Sequence, residues 1–199
     1  MTLALATATA SGLQAQVVTY NQFANSGQYT FIPNCYVENG FRTTSVGQAC
    51  GESGSLGVWG SGLPQFEAPD VAVFNNYGQS VMFTLAASGA FSLSSIDLFP
   101  IYGPTNSTIN ILFSGTHSDL SVNTFNFAFD GNSTGYSTAT FDPNLFSDLT
   151  SATLLSSSDT FVQFDNITFN ATSAPEPASL GLFATGLIGV VGAIKRRRR

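Results

Sequence analysis

The chain has 199 residues, of which only 9% are charged and 13% are aromatic, most of them Phe. Residues 174–199 hold five of the six basic residues, so the remainder has one basic residue (Arg42) against eleven acidic residues, a net charge of -10. This charge excludes nucleic acid and anionic lipid as partners of the body. The length allows one domain of about 150 residues and no second full domain, and the many aromatic residues argue against disorder.

The chain begins with the sequence MTLALATATASGLQAQ, which predicts a signal peptide over residues 1–15. Leu13-Gln14-Ala15 is an acceptable cleavage site before Gln16, and Ala8-Thr9-Ala10 is a second candidate. Because no basic residue precedes the apolar part, we expect the true start to lie upstream of Met1. The alternative is an N-terminus that is merely disordered.

Two cysteines, Cys35 and Cys50, lie fifteen residues apart in a segment rich in Gly and Ser. In an oxidising compartment this spacing favours a disulfide. The alternative is a pair of buried free thiols. A redox or metal site would need a CxxC spacing and His partners, which the segment lacks.

The body, residues 16–172, consists of short apolar runs separated by turn residues. Ile109, Ile111 and Phe113 alternate with polar residues, as do Phe125, Phe127 and Phe129, which is typical of half-buried strands. The segments SGTHSDLS (114–121) and DGNSTG (130–135) have the composition of hairpin connections. Further predicted strands are Val71–Phe74, Val81–Leu85, Ser95–Phe99, Ser137–Phe141 and Phe161–Phe169. Eight or so antiparallel strands predict an all-β, two-sheet β-sandwich that resembles a jelly roll.

The last predicted strand contains a conflict of periodicity. Val162 and Phe164 require one face, whereas Ile167 and Phe169 require the other. The strand is therefore either buried on both faces or bulged near Asp165, and a polar side chain is expected to point inward. The Asp165 carboxylate could accept hydrogen bonds from nearby backbone N–H groups, which we favour, or it could bind a structural Ca²⁺.

The chain ends with an apolar run and a basic cluster. Residues 178–194 are uncharged and would span about 25 Å as a helix, so they predict a short transmembrane helix. A cluster of positive charge follows, and it should remain cytoplasmic so that the body lies outside. Its residues are Lys195, Arg196, Arg197, Arg198 and Arg199. Pro175 and Pro177 flank Glu176 and keep that segment extended.

This tail, residues 173–199, resembles the PEP-CTERM sorting signal of Gram-negative bacteria, through the Pro175-Glu176-Pro177 tripeptide, the Gly/Leu-rich helix and the terminal Arg cluster. The resemblance implies recognition and cleavage by an exosortase and export to the cell surface or the extracellular matrix. The same segment is also called an ice-binding protein C-terminal domain. A plain tail anchor with a basic end is the alternative.

The body resembles domains that accompany such tails, through residues 68–100, 113–119 and 161–170. Its closing strand is also similar to strands of galactose-binding-like jelly rolls and carbohydrate-binding modules. These resemblances imply association with sugars by analogy alone. Aromatic platforms for a sugar would come from Trp59, Tyr77 or Tyr102, although core packing explains these residues equally well.

Catalytic chemistry is sparse. His117 lies near Asp119, but the chain contains no G-x-S-x-G elbow, and an exposed turn position is the simpler interpretation of this histidine. Zinc ligands are too few, and most aspartates lie beside turns. We therefore predict a non-enzymatic exported protein, without a required cofactor, that associates with exopolysaccharide. The alternatives are a structural or adhesive matrix protein with protein partners and, less favoured, an ice-binding protein.

Overall fold

The structure is a computed structural model that describes residues 15–24, 29–59, 71–76, 80–101, 108–133, 135–156 and 162–171. Within these ranges the chain forms thirteen strands and one 3-10 turn, Asn21–Phe23. The strands are β1 (Ala15–Val18), β2 (Tyr29–Ile32), β3 (Tyr36–Glu38), β4 (Phe41–Ser45), β5 (Leu56–Trp59), β6 (Val73–Asn75), β7 (Val81–Leu85), β8 (Phe91–Pro100), β9 (Thr108–His117), β10 (Val122–Asp130), β11 (Ser137–Thr140), β12 (Leu149–Ser156) and β13 (Val162–Ala171).

Every pairing between these strands is antiparallel, and the strands form two layers. One layer has the order β3-β4-β7-β12-β9-β10. The other has the order β2-β5-β6-β13-β8-β11, with β1 added along the C-terminal half of β13. A single pair, Leu149 and Phe91, joins the layers into one continuous hydrogen-bonded sheet. The predicted all-β, antiparallel sandwich is confirmed.

Aromatic side chains fill the space between the layers. Phe41 of β4 stacks on Phe169 of β13 with a centroid distance of 4.1 Å, and Phe83 of β7 meets Phe164 of β13 edge-on at 5.6 Å. All four side chains are fully or almost fully buried. Burying each contributes roughly 1.5–3 kcal/mol, so the contacts between β13 and the opposite layer form the centre of the core.

The predicted alternation of β9 and β10 is confirmed. Ile109, Ile111 and Phe113 are buried on one face of β9. Phe125 and Phe127 of β10 pack against the same core cluster. The predicted strand Val81–Leu85 coincides with β7. The other predicted strands overlap β6, β8, β11 and β13 with shifted ends.

The expected strand number of eight or so was too low for the described residues. Strands β1 to β5 and β12 were missed because they are short or rich in Ser and Thr. One connection was also wrong. The segment 118–121 does close the β9–β10 hairpin, but residues 130–135 carry the chain from β10, which pairs with β9, to β11, which pairs with β8 in the other layer.

The structure of β13 contains both features that the sequence offered as alternatives, burial on both faces and a bulge. Val162 to Asp165 are buried on consecutive positions, so this half of β13 is covered on both faces. A bulge follows between Asp165 and Thr168 in the pairing with β8. Asn166 takes the left-handed conformation there, with φ of 47°, which Asn tolerates better than most residues. The expected inward polar group is Asp165, which is fully buried.

The predicted disulfide is confirmed. Cys35 and Cys50 are bonded, with their Cα atoms 5.1 Å apart. The bond ties the turn between β2 and β3 to the turn after β4. In the chain-entropy model a loop of this length contributes about 3 kcal/mol to stability.

The signal peptide up to residue 14, the transmembrane helix 178–194 and the basic cluster lie outside the described residues. No helix within the described ranges is long and apolar enough to cross a membrane. The first described residue, Ala15, already pairs with Asn170 of β13. The two ends of the body therefore meet in one pair of strands.

Candidate binding cleft and the C-terminal tail

A surface cleft of about 320 Å³ opens beside the first strand and the 3-10 turn. Its lining consists of Thr19, Asn21, Gln22, Tyr36, Val37 and Glu38. The first three residues follow β1, and the last three form β3. The alternation of β3 directs Tyr36 and Glu38 to one face, where they meet the N-terminal segment.

The Glu38 carboxylate holds this N-terminal segment in place. Its Oε1 accepts hydrogen bonds from the Thr19 backbone N–H at 3.0 Å and from the Thr19 hydroxyl at 3.3 Å. Its Oε2 accepts from the Tyr20 N–H at 3.1 Å and from the Tyr36 hydroxyl at 2.8 Å. Hydrogen bonds to a charged group are worth about 1.5–3 kcal/mol each. These hydrogen bonds attach the Thr19–Tyr20 segment to β3 and so define the shape of the cleft.

Tyr20 lies beneath the cleft and is fully buried, with a left-handed backbone (φ 53°). Its hydroxyl is 2.6 Å from the Thr43 hydroxyl, and its ring packs against Tyr36 at 5.6 Å and Phe164 at 5.9 Å. Burial raises the pKa of Tyr20 well above its ordinary value of 10.0, and the charges of Glu38 and Asp165 raise it further. Tyr20 therefore remains a neutral anchor between the cleft and the core.

Tyr36 forms the wall of the cleft. Its hydroxyl donates to Glu38 and accepts a hydrogen bond from the side-chain amide of Gln22, and its ring meets Phe23 edge-on at 5.1 Å. Burial, followed by the hydrogen bond to Glu38, raises the pKa of Tyr36. The phenol therefore stays protonated and keeps its role as a donor.

The lining combines amides, a hydroxyl, a phenol and an apolar side chain around a small concave volume. This is the chemistry by which proteins orient polar ligands of modest size. Among the described residues of the lining, Glu38 is the one carboxylate, whereas glycoside hydrolysis uses a pair.

Sequence reasoning did not find this cleft. The motif Tyr36-Val37-Glu38 does contain a signal, because its first and third side chains share a face. However, their partners Thr19 and Gln22 lie shortly after the predicted cleavage site. The sequence predicts no strand or binding site in that segment.

Of the sugar platforms predicted from the sequence, only Trp59 falls within the described residues, and it is not among the lining residues of the cleft. Trp59, at the end of β5, is half-buried, stacks on Phe74 at 5.2 Å with an interplanar angle of 13°, and meets Tyr29 edge-on at 4.9 Å. One face of its ring is therefore covered by the fold. Tyr77 and Tyr102 lie outside the described residues, and their role as platforms stays a prediction.

His117 is the last residue of β9 and is half-buried, so it is not the fully exposed turn residue that we expected. Its Nε2 lies 2.9 Å from the side-chain amide of Asn123. Asp119 Oδ1 accepts hydrogen bonds from the N–H and the hydroxyl of Ser121, which lower the pKa of the Asp119 carboxyl. These contacts explain both residues as parts of a hairpin turn.

The hypothesis of a Ca²⁺ site concerns Asp165. Asp97 lies directly opposite it in the register of β13 and β8, and accepts hydrogen bonds from Asn166 at 3.0 Å and Thr138 at 2.6 Å. The described part of the chain contains no group of three or more His, Cys, Asp or Glu side chains that could hold a metal ion. Calcium at Asp165 stays a hypothesis.

The tail decides the identification. Residues 173–199 match the family model of the PEP-CTERM protein-sorting motif, and this range contains the Pro-Glu-Pro tripeptide, the apolar run and the basic cluster. The chain carries a PEP-CTERM sorting motif. This motif indicates an exported protein that is sorted by an exosortase. The PEP-CTERM match begins two residues after β13 ends.

Comparisons of the whole chain are less informative. None of the curated proteins matches it. Among solved structures it is similar to the Clostridium thermocellum N-terminal endo-1,4-beta-D-xylanase 10B CBM22-1-GH10 modules complexed with xylohexaose, with 11% identity and a TM-score of 0.32. The similarity covers 80% of this chain but only 28% of that chain. At this level the similarity indicates nothing about ligand or activity.

Replacing Glu38 with Ala should destabilise the N-terminal segment. The variant leaves the N–H groups of Thr19 and Tyr20 and the Tyr36 hydroxyl without their acceptor, so we expect a loss of about 1–3 kcal/mol in the free energy of unfolding. Urea denaturation measures this loss. Glu52→Ala is the matched control, since the exposed Glu52 accepts one backbone hydrogen bond, from Ala49. Equal stability of the two variants would contradict the role of Glu38.

The protein should lose stability in alkali. Because the folded-state pKa of Tyr20 lies above its ordinary value of 10.0, the unfolded chain loses this proton first as the pH rises. The contribution of Tyr20 is fully present below pH 10 and declines as the pH rises above it, by at most about 1.4 kcal/mol per pH unit. Denaturation at pH 9 to 12 should show a shallower decline for Tyr20→Phe. A decline of unchanged slope in this variant would count against the assignment.

Proposed function

We propose that this protein is a non-enzymatic component of the cell surface or extracellular matrix, and that it associates with exopolysaccharide through the cleft between β1 and β3. During export the apolar run 178–194 holds it in the membrane, with the body outside. An exosortase then cuts near Pro175-Glu176-Pro177 and releases or transfers the body. The single observation that carries this proposal is the PEP-CTERM match at residues 173–199.

Two properties of the body support an extracytoplasmic location. The Cys35–Cys50 disulfide is typical of oxidising compartments. The strongly acidic body suits solubility outside the cell and excludes nucleic acid. The basic cluster after residue 194 supports the orientation, since positive residues favour the cytoplasmic side.

The cleft supports a neutral, hydroxyl-rich ligand. Asn21 and Gln22 are exposed at its rim and can exchange hydrogen bonds with hydroxyl groups in both directions. The Glu38 carboxylate is already engaged by four donors, so it gives little attraction to a cation. A polysaccharide segment fits these requirements better than a charged metabolite does.

Processing is tested by intact mass spectrometry of the protein from cells and from medium. We expect the protein in the medium to begin at Gln16, to end near residue 176 and to contain the disulfide. A triple variant with Ala at Pro175, Glu176 and Pro177 should remain uncleaved in the membrane fraction. Unaltered processing of this variant, or a reduced, full-length protein in the cytosol, would refute the proposed route.

Polysaccharide association is tested by co-sedimentation with exopolysaccharide purified from the cells that make the protein. The double variant Asn21→Ala/Gln22→Ala removes two ligand hydrogen bonds of about 0.5–1.5 kcal/mol each, so the affinity should fall about tenfold. The matched control is Asn126→Ala, which changes an exposed amide on β10, at the opposite edge of the layer that contains β3. If the unmodified protein, the double variant and Asn126→Ala co-sediment with the polysaccharide equally, the cleft is not the binding site.

A further inference from the structure

The tip of the β9–β10 hairpin presents a leucine that the fold does not require. Leu120 is 80% exposed and has a φ of 69°, a conformation in which Gly or Asn is common and a branched apolar residue is unfavourable. Neither burial of its side chain nor the backbone preference of leucine explains why Leu occupies position 120. Strained residues of this kind concentrate at functional positions.

The tip is held rigidly by the neighbouring loop. The Ser118 N–H donates to the Asp148 carbonyl at 3.2 Å, and the Ser118 hydroxyl donates to the Asp148 carboxylate. Within the tip, the Leu120 N–H donates to the His117 carbonyl at 3.1 Å. Leu120 is therefore presented in a fixed conformation.

Two other exposed apolar side chains belong to this hairpin or to the loop that is bonded to it. Val122, at the start of β10, is 56% exposed, and Leu145 is 42% exposed. Leu145 is attached to the hairpin, because its carbonyl accepts a hydrogen bond of 3.1 Å from the Asn123 side chain. We call Leu120, Val122 and Leu145 the apolar tip.

The apolar tip lies at the end of the sandwich where the chain leaves for the tail. A continuous row of paired residues runs from Ala171 to Phe91, from Phe91 to Leu149 and from Leu149 to His117. Directly paired residues have Cα atoms about 4.5–5.5 Å apart. Three such steps place Ala171 within about 16 Å of His117, which immediately precedes the hairpin turn.

The strands β13 and β9 also run in the same direction. On β13 the chain passes from Phe164, which contacts Phe83, to Phe169, which contacts Phe41. Phe83 of β7 and Gly115 of β9 both pair with Ala152 of β12, so they lie at the same level of the sandwich. Phe41 pairs with Leu85, which lies two residues nearer the C-terminal end of β7. Both strands therefore end at the same edge of the sandwich.

The sequence limits how far this edge can be from a membrane. Residues 172–177 separate Ala171 from the apolar run that begins at Ala178. The seven Cα-to-Cα steps from Ala171 to Ala178 span at most about 23–25 Å. While residues 178–194 are embedded, the edge that carries the apolar tip stays within this distance of the lipid.

We propose that the apolar tip docks on the lipid surface while the tail is embedded, and so orients the body with this edge toward the membrane. The inference rests on the membrane anchoring in the proposed function. The tip is surrounded by three exposed carboxylates, Asp119, Asp142 and Asp148. Because these negative charges repel anionic head groups, the tip favours zwitterionic lipid. A second copy fits less well, because two acidic edges repel and Arg42 is the one basic residue outside the tail.

The test uses the full chain with Leu120→Cys, labelled with an environment-sensitive fluorophore and reconstituted into phosphatidylcholine vesicles. The label is specific because Cys35 and Cys50 are disulfide-bonded. Leu155→Cys is the matched control, because Leu155 is 39% exposed near the other end of the sandwich. We expect spin-labelled lipid to quench the label at 120 several-fold more than the label at 155. Phosphatidylglycerol-rich vesicles should reduce the quenching.

The possible outcomes are distinct. Flotation of the protein with vesicles reports tail insertion by itself, so absence of flotation refutes the anchoring and the docking together. Flotation with equal, weak quenching at both positions refutes the docking alone. A blue-shifted label at 120 that lipid does not quench indicates a protein contact and also overturns the inference.

A second variant separates function from folding. Leu120→Gly suits the positive φ, so thermal unfolding should show an unchanged Tm or one raised by about 2–4 °C. Elastase, which cuts after small residues such as Ala and Ser, should nevertheless cut this variant faster within residues 171–174 in vesicles, because the undocked body no longer shields the segment next to the membrane. A lower Tm with unchanged cleavage would show that Leu120 serves the fold, and would overturn the inference.

Discussion

The pairing of the last strand, β13, supports the rest of the structure. Its N-terminal half lies between β6 and β8, and its C-terminal half lies between β1 and β8, so hydrogen bonds occupy both of its edges. Its side chains Phe164 and Phe169 also carry the contacts to the opposite layer. Both layers depend on this strand, because without it β1 would lose its partner, β6 would keep only β5, and Phe41 and Phe83 would lose their cover.

This constraint connects folding with sorting. β13 follows the other twelve strands of the described residues along the chain and ends two residues before the sorting motif begins. Pairings between distant parts of a chain form late, because closing long loops costs entropy. The described body can therefore complete its fold only once β13 is available to pair with β1, β6 and β8.

The N-terminal segment is joined to the fold by different physics. β1 has four residues and adds little apolar burial, so its position depends on polar contacts from the β3–β4 hairpin. Glu38 holds Thr19 and Tyr20, and the Asn39 side chain donates to the Val17 carbonyl at 2.7 Å. These contacts form the floor and wall of the cleft. The Glu38 side chain, which attaches the first strand, is therefore also part of the lining of the cleft.

Much of the architecture was predictable from local patterns. Alternation at Ile109, Ile111 and Phe113 predicted a strand with one buried face, and the conflict around Asp165 predicted an inward polar group together with either burial on both faces or a bulge. Strands without alternation were not predictable in this way. Leu149–Ser156 is central to one layer although it is rich in Ser and Thr, because its partners β7 and β9 supply the apolar environment. The connection at 130–135 has the composition of a hairpin, but the choice between layers depends on packing that composition does not contain.

The sequence by itself determined the fold class, the disulfide pair and the sorting motif, since each depends on residues close in the chain or on composition. The tertiary structure decided which segments pair, where the cleft opens and which edge of the sandwich carries both the chain exit and Leu120. The physical reason is separation along the chain. Glu38 meets Thr19 across nineteen residues, and Asn166 meets Asp97 across sixty-nine. Such contacts are specified by the packing of the whole domain, which no short stretch of residues encodes.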